Sequence, residues 1–444
     1  MKYINLLLFL VLYQFTSGQT AVDTLKLSNV NQYVKIDSIR ISGNDITEKL
    51  IILREMTFTE GDEVNSKIID YNRERIYSLG LFNYVNLYLL KKQQDTVLLI
   101  DVYEKWYIYL FPFMSFNGGD FKNLTYGIKF RLENFRGLNE TINANFAFGY
   151  DPMISLSYNN PTLFFDEDIG FGFEISYKDF ANKSKNAEAL IGKEFEYTFY
   201  TAAVSFSKRI NNFNLLTLEP RYTYVESGVP VVSEQITASS TQIDRALILR
   251  MNYVYDSRDL KQFPKSGLYS SVDFTHKGFG INDISYNIFK VDLRQYNLLN
   301  DALTFRWRVN YRSTFGKNVP YYDYSFFGYE DYVRGHSSDE IEGTQYLLNS
   351  IELSYAIIDE WDFSLTLPLI PKNLTSLRIG LNFNIFADAG TTFDDFEELR
   401  FNNFLSGYGV GLNILFLPFN SLRLEYAFDE YMNGEALIGL GFSF

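Results

Sequence analysis

The chain has no cysteine in its 444 residues and, after its first residues, no run of about eighteen apolar residues. The lack of cysteine excludes disulfide bonds, thiol catalysis and cysteine metal sites, and it argues against a lipidated N-terminal cysteine. The lack of long apolar runs excludes membrane-spanning helices. A membrane-embedded part of this chain would therefore have to be built from strands.

Positive charge and the familiar motifs of catalysis are also scarce. The net charge is −14 and the pI is near 4.8, so the basic surface that nucleic acid requires is missing and no nucleic-acid partner is expected. There is no Gly-x-Ser-x-Gly elbow, His-Glu-x-x-His pair, phosphate-binding loop or dinucleotide fingerprint. We therefore expect neither an enzyme nor a cofactor.

Aromatic residues, in contrast, are abundant. They make up 18% of the chain, with 41 Phe and 34 Tyr. Alternating strands with aromatic girdles, as in a membrane barrel, account for this excess, and a large soluble β-sandwich accounts for it less well. Residues 1–18 carry Lys2, an apolar stretch from Leu6 to Leu12 and the small residues Ser17 and Gly18. This order predicts a secretory signal peptide.

Residues 33–104 show the pattern of a small α+β domain. Alternation over 35–43 predicts a strand, which is followed by predicted helices over 48–56 and 67–80, the second capped by Ser66. Two further alternating segments, 82–90 and 96–104, predict a hairpin across a polar turn. The order is therefore β-α-α-β-β.

Residues 105–444 repeat alternating segments of roughly ten to fifteen residues, separated by turn residues. About sixteen segments fit, which predicts a transmembrane β-barrel of antiparallel strands. In residues 377–388 the apolar side chains share one face and the polar ones the other. The last strand places four apolar residues on one face: Ile438, Leu440, Phe442 and Phe444. Charged residues on the inward face indicate a wet lumen, and an open edge in hydrocarbon is costly, so the sheet is expected to close.

A loop of about thirty residues near position 334 is unusually long for a regular β protein. The period of two directs Glu352 and Asp388 into the lumen from two consecutive long strands. Arg334, on the preceding loop, reaches them if the loop folds back into the barrel, and its planar guanidinium suits bidentate binding of a carboxylate. Spacing alone would favour an ordinary solvated loop arginine at this position.

Several motifs, taken in order, resemble those of the BamA-type outer-membrane assembly superfamily (the bacterial surface antigen family). Residues 33–104 are similar to a single polypeptide-transport-associated (POTRA) domain. The loop motif is Val333-Arg334-Gly335-His336, and FADAG at 386–390 matches a second family element. The motif residues of these later segments are Asp256, Arg258, Asp259, Pro264, Gly267, Phe386 and Gly390.

The resemblance implies that Arg334 binds lumenal carboxylates, here Asp388 and Glu352, and holds the loop inside the barrel. It also implies an outer-membrane location with the N-terminal domain in the periplasm. His336 stands where the family usually has Phe or Tyr. A neutral polar ring in place of an aromatic one is the expectation there, although a histidine can titrate near neutral pH.

One functional hypothesis is an assembly factor that inserts client proteins through a weak barrel seam. The closing strand, 436–444, contains Gly439 and Gly441, and the first strand, about 106–116, contains Pro112, which cannot donate to a ladder. The expected partners are outer-membrane lipid, unfolded outer-membrane or secreted clients, and accessory assembly subunits. The strand at 82–90 is expected to offer its edge to a client.

Two alternatives stay open. One is a secretion pore that exports a soluble partner. Such relatives usually have two transport-associated domains and a plug helix, for which residues 19–33 are short. The other is a passive porin-like barrel, for which the N-terminal domain and the loop motif would be superfluous.

Overall fold

The computed structural model describes residues 24–25, 33–92, 95–116, 124–230, 235–239, 241–328 and 331–441. The predicted signal peptide and the strand residues Phe442 and Phe444 lie outside these ranges. No described helix is long and apolar enough to cross a bilayer. The described residues form a small α+β domain followed by one large antiparallel sheet.

The N-terminal domain contains two helices and a mixed sheet. Its strands are β1 Thr24–Leu25, β2 Val34–Lys35, β3 Ser38–Ser42, β4 Glu63–Val64, β5 Phe82–Lys92 and β6 Asp95–Glu104. Its helices are α1 Lys49–Leu53 and α2 Ser66–Tyr77. The main sheet has the order β1-β5-β6-β3, with β3 parallel to β6. The β-α-α-β-β order is therefore the predicted one, with short strands added.

The cap of α2 differs from the predicted one. Asn65, not Ser66, is the N-cap, because its side-chain oxygen accepts a hydrogen bond from the Ile68 N–H at 3.0 Å. Asn65 has an extended backbone, as a capping residue requires, whereas Ser66 already lies in the first helical turn. Ile69 and Ile76, both fully buried, lie on the helix face that packs into the core of the domain.

The outer edge of β5 is partly covered. The short strand β1 pairs with β5 at Leu89 and Leu90. The sequence predicted that the whole of 82–90 offers a free edge, so the structure corrects this at the far end of the strand. The chain's own N-terminal segment pairs with it there.

The second unit is a sheet of sixteen antiparallel strands, as the alternation predicted. The strands are β7 Ile108–Phe116, β8 Leu124–Phe135, β9 Glu140–Gly149, β10 Met153–Phe164, β11 Ile169–Ala181, β12 Glu196–Arg209, β13 Asn214–Ser227, β14 Ile243–Asp256, β15 Gly267–Gly278, β16 Ser285–Asn300, β17 Leu303–Lys317, β20 Gln345–Ser364, β21 Ser376–Phe393, β22 Leu405–Leu417, β23 Asn420–Asp429 and β24 Gly434–Leu440. Each strand pairs with its neighbour in the sheet, in the order β24-β23-β22-β21-β20-β17-β16-β15-β14-β13-β12-β11-β10-β9-β8-β7.

Polar side chains line the inner face of this sheet, and apolar ones point outward. On β21, Asn384 is fully buried and Asp388 is 5% exposed, whereas Phe383 and Ile385 are 37% and 52% exposed. This is the distribution of a barrel whose outer wall faces lipid and whose bore is polar. The alternation predicted over 377–388 is confirmed.

The connections between strands lie at two opposite rims of the barrel. One rim, here called the short-turn rim, carries the turns 136–139, 165–168, 210–213, 257–266, 301–302, 365–375 and 418–419. The opposite, long-loop rim carries helix α3 Lys185–Ile191 and the connection 318–344, which contains the short strands β18 Ser325–Phe327 and β19 Ile341–Gly343. The N-terminal domain lies at the short-turn rim, where its last strand, β6, leads into β7.

The N-terminal domain packs tightly against that rim. Glu55 binds Arg75 of its own domain at 2.9 Å and Arg209 at the end of β12 at 2.7 Å. Burial would raise the pKa of Glu55, but the surrounding cations, Arg209 foremost, hold that pKa below its ordinary value. Glu74 of α2 binds Arg378 of β21 at 2.9 Å. The apolar core of the domain continues into the barrel through Leu260, Phe263, Leu415 and Leu417.

The first and last strands of the sheet are its two ends. Within the described residues, no backbone pairing joins β7 to β24. Pro112 lies in the middle of β7, and β24 is only seven residues long. The seam between them is therefore the weakest part of the sheet in the described chain.

Candidate functional site

The connection 318–344 folds back from the long-loop rim into the barrel. Val333 is fully buried and packs with Phe327, Tyr346 and Leu348. The next residue, Arg334, is 5% exposed. The connection begins at the end of β17 and ends at the start of β20. The apolar cluster around Val333 packs it against Tyr346 and Leu348 of β20.

Arg334 binds Asp388 through two parallel hydrogen bonds. Its Nε donates to Oδ2 at 2.7 Å, and its Nη2 donates to Oδ1 at 2.8 Å. The guanidinium also lies over the ring of Phe386, with Cζ 3.6 Å from the ring centroid. Bidentate pairing and ring stacking together fix both the position and the plane of this group.

Two further carboxylates meet the same guanidinium. Nη1 of Arg334 donates to Glu352 at 3.2 Å and to Glu425 at 3.0 Å. The sequence identified Asp388 and Glu352 as partners but not Glu425. The inward position of Glu425 on β23 followed from the same alternation. The sequence did not reveal that Glu425 lies at the same height in the barrel as Arg334.

Additional cations balance the charge of these acids. Arg306 on β17 binds the second oxygen of Glu352 at 3.2 Å, and Arg423 lies 3.6 Å from Glu425. Three guanidinium groups therefore face three carboxylates in a buried cluster. Such a cluster adds little net stability as a whole, but the removal of one member leaves a buried charge without its counterion.

Two glycines let the loop approach the wall. Gly335 has a φ of +101°, and a Cβ atom there would lie 2.8 Å from the carbonyl oxygen of Phe428. A Cβ atom on Gly407 would lie 1.7 Å from the carbonyl oxygen of Arg334. A side chain at either position would push the loop away from β22 and β23.

His336 contacts a carboxylate through each ring nitrogen. Nδ1 lies 2.7 Å from Asp339, and Nε2 lies 2.7 Å from Glu430. Burial lowers the pKa of His336, but the hydrogen bonds to the two acids outweigh burial and raise it. The sequence favoured a neutral polar ring at this position. These surroundings instead favour the charged imidazolium, and nothing in the local sequence revealed Glu430 as a partner.

The loop also contacts the strand at the seam. The backbone N–H of Gly335 donates to Glu435 of β24 at 2.7 Å, and the hydroxyl of Ser337 donates to the same carboxylate at 2.8 Å. The loop therefore connects the Asp388 side of the barrel with its last strand.

The motif residues of the 257–266 turn lie on the opposite rim from Arg334. Arg258 binds Asp256 through Nε at 2.8 Å and Nη2 at 2.9 Å. Asp259 accepts the backbone N–H groups of Leu260 and Lys265. Pro264 is buried, and Gly267 has a φ of +110°. These residues shape the turn and do not contact Arg334.

The remaining predicted residues lie on β21 and β24. Gly390 packs against Phe327 of the loop, because a Cβ atom there would lie 2.8 Å from the ring. Ile438 and Leu440 are 79% and 76% exposed on the outer face of β24. Within the described residues, no group of three or more potential metal ligands occurs. The cluster is arranged to hold a loop by charge-assisted hydrogen bonds.

A sixteen-stranded barrel with a polar bore, an apolar wall and one α+β domain at its short-turn rim defines a class, the outer-membrane barrels with a POTRA domain. Residues 134–444 match the Omp85 superfamily domain, and residues 34–105 match the POTRA family described as a surface antigen variable number repeat. The chain belongs to the Omp85 superfamily, as its motifs predicted. The barrel lies in the outer membrane and the N-terminal domain in the periplasm.

Known relatives share this architecture at low identity. The outer membrane protein assembly factor BamA of Nitratidesulfovibrio vulgaris Hildenborough is 22% identical over 95% of this chain and 52% of that protein, so the chain spans about half its length. The structure of Haemophilus ducreyi BamA lacking POTRA domains 1–3 is similar with a TM-score of 0.53, at 17% identity over 92% of this chain and 84% of that one. CdiB from Escherichia coli gives a TM-score of 0.55, at 12% identity over 91% and 75% of the two chains.

Proposed function

We propose that this protein inserts or folds client proteins in the outer membrane through the seam between β7 and β24. The observation that carries the proposal is the lack of backbone pairing between these two strands within the described residues. Backbone groups without partners in hydrocarbon cost several kcal/mol each, so such an edge has a strong tendency to pair with another strand.

The occupied bore supports a lateral route. At the periplasmic end the N-terminal domain binds the short-turn rim through buried pairs such as Glu74 with Arg378. Further along the bore, Arg334 and Val333 of the loop are buried inside the barrel. A client that passed through the bore would have to displace both, whereas a client that paired at the seam would displace neither.

The client's own folding would drive the reaction. A client strand pairs temporarily with the edge of β7 or β24, which satisfies its backbone before its own barrel closes. The short β24, with Gly439 next to its last residue, competes weakly for pairing, so the client is released as the client's own strands pair. No nucleotide or cofactor is needed in this scheme.

The periplasmic domain would receive the client first. The middle of β5 remains available for strand addition, since β1 covers its far end and the side chains of Asn83 and Tyr84, near its start, donate to barrel carbonyls. Accessory assembly subunits would bind the exposed faces of the same domain. Lipid would contact the outward apolar side chains of the barrel.

A secretion pore is the second candidate, favoured by the similarity of the fold to CdiB. This function requires that the loop and the N-terminal domain leave the bore while a soluble partner passes. The two functions therefore predict different gates. An assembly factor opens its seam, and a secretion pore clears its lumen.

Reconstitution in phosphatidylethanolamine–phosphatidylglycerol liposomes tests the proposal. An unfolded client barrel should insert faster with this protein than with an unrelated barrel. Because the chain has no cysteine, paired substitutions such as Leu110→Cys with Leu440→Cys, screened for oxidation, can lock the seam. Oxidation should abolish the acceleration and reduction should restore it. If insertion is not accelerated and a large stable ion conductance appears, the pore is the better function.

A further inference from the structure

Arg306 is a buried cation that the loop motif does not account for. Its side chain is 1% exposed, and its Nη1 donates to Oε1 of Glu352 at 3.2 Å. The other oxygen of Glu352 accepts Nη1 of Arg334, also at 3.2 Å. One carboxylate is therefore shared between a strand arginine and the loop arginine.

The rest of the Arg306 guanidinium faces an aromatic ring. Among the described residues, Nε and Nη2 have no hydrogen-bond partner. Instead, Cζ lies 3.9 Å from the ring centroid of Phe263. At this distance and with this burial, the ring face attracts the cation and fixes the guanidinium plane.

Phe263 comes from the opposite side of the molecule. It belongs to the periplasmic turn 257–266, which carries the family motif that the loop site does not use. Phe263 is 5% exposed and is part of the apolar core that the N-terminal domain shares with the barrel. A line of contacts thus runs from the periplasmic domain through Phe263, Arg306 and Glu352 to Arg334.

We propose that Phe263 and Arg306 are positioning residues for the loop site. Phe263 fixes the plane of Arg306, Arg306 fixes the carboxylate of Glu352, and Glu352 then meets the loop arginine in the right orientation. The docked periplasmic turn therefore stabilises the surface loop inside the bore. This inference goes beyond client insertion, and its test uses no client, so its failure leaves the proposed function to its own assay.

The rate at which the loop leaves the bore is the quantity to measure. Val333 is fully buried, so a single Val333→Cys substitution in the cysteine-free chain reacts with an aqueous maleimide when the loop undocks. In this background, Phe263→Leu keeps apolar volume but removes the ring face. Labelling should become about tenfold faster, since a desolvated cation–ring contact is lost. Phe263→Tyr keeps the ring and should label at nearly the parental rate.

Two more variants separate positioning from packing. Leu260→Ala truncates a neighbour in the same turn and the same core that offers Arg306 neither a carboxylate nor a ring, and should label at nearly the parental rate. Arg306→Lys keeps the charge but loses the planar guanidinium that lies over the ring of Phe263. It should therefore speed labelling as much as Phe263→Leu does. Equal acceleration by Leu260→Ala and Phe263→Leu would overturn the proposal, as would unchanged labelling in Phe263→Leu or in Arg306→Lys.

Discussion

The two end strands of the barrel sheet differ sharply from the strand pair that holds the loop. Strands β20 and β21 are 20 and 18 residues long, lie side by side and carry Glu352 and Asp388. Strand β24 has seven residues, and strand β7 has nine with a proline at its centre. The same alternating pattern has thus produced long paired strands where the loop binds and short strands at the two ends of the sheet. Strand pairing is therefore extensive beside the loop and limited at the ends.

The loop joins these two sectors. It binds Asp388 with Arg334 and binds Glu435 of β24 with the backbone of Gly335. A change in the loop should therefore reach the seam, where the described residues show no backbone pairing between β7 and β24. The four predictions below test this comparison.

The largest effect is expected from Arg334→Ala, which leaves three buried carboxylates with too few cations. We expect a loss of about 3–5 kcal/mol in the free energy that holds the loop in the bore. The loop should become sensitive to protease added from outside while the barrel keeps its folded mobility on gels. Equal cleavage of the loop in the parent protein would show that Arg334 does not hold it.

Glu425→Gln removes one charge from the acid set that the loop arginine meets. The hydrogen bond from the Arg334 guanidinium keeps its charged donor but loses its charged acceptor, so we expect a cost of about 1–2 kcal/mol, less than for Arg334→Ala. Loop cleavage should rise to an intermediate rate. Asp283→Asn, on an exposed carboxylate at the same rim, is the matched control and should change nothing. A rate no faster than the control's would mean that Glu425 is a bystander.

Glu435→Gln tests whether the loop supports the seam. The carboxylate accepts hydrogen bonds from the backbone N–H of Gly335 and from the hydroxyl of Ser337. The amide of glutamine has only one accepting oxygen, so we expect the loop contact to lose about 1 kcal/mol. Amide hydrogen exchange in β24 should become faster, with β20 unchanged. Faster exchange in both strands would show general loosening of the barrel instead.

The smallest effect is a pH dependence of loop docking. The acids beside His336 raise its pKa above 6.5, so its contribution to docking is fully present below about pH 6.5 and is lost as pH rises through the raised value. The nearby Asp429 adds to the negative field. Loop cleavage in the parent protein should increase by a few-fold over that rise. In His336→Phe, which restores the family's usual aromatic ring, the profile should be flat; a matching rise there would assign the dependence to another group.

Much of the fold followed from short-range pattern. A period of two sorts side chains to two faces without knowledge of any other strand, so the inward positions of Glu352 and Asp388 and the number of strands were accessible. Errors arose where one residue or one neighbour decided the outcome. The cap of α2 moved by one position, to Asn65, because the backbone of Ser66 is already helical.

The sequence alone determined which residues of each strand face the bore and which face outward. It also determined the polar character of the bore and the motif order that places the chain in its superfamily. The tertiary structure decided which inward groups meet. Glu425, Arg306 and Glu430 became partners of the loop site because strand stagger and the path of the loop set their heights, and no local pattern encodes either. The docking of the periplasmic domain, and the lack of pairing between β7 and β24 in the described part of the chain, likewise depend on residues hundreds of positions apart.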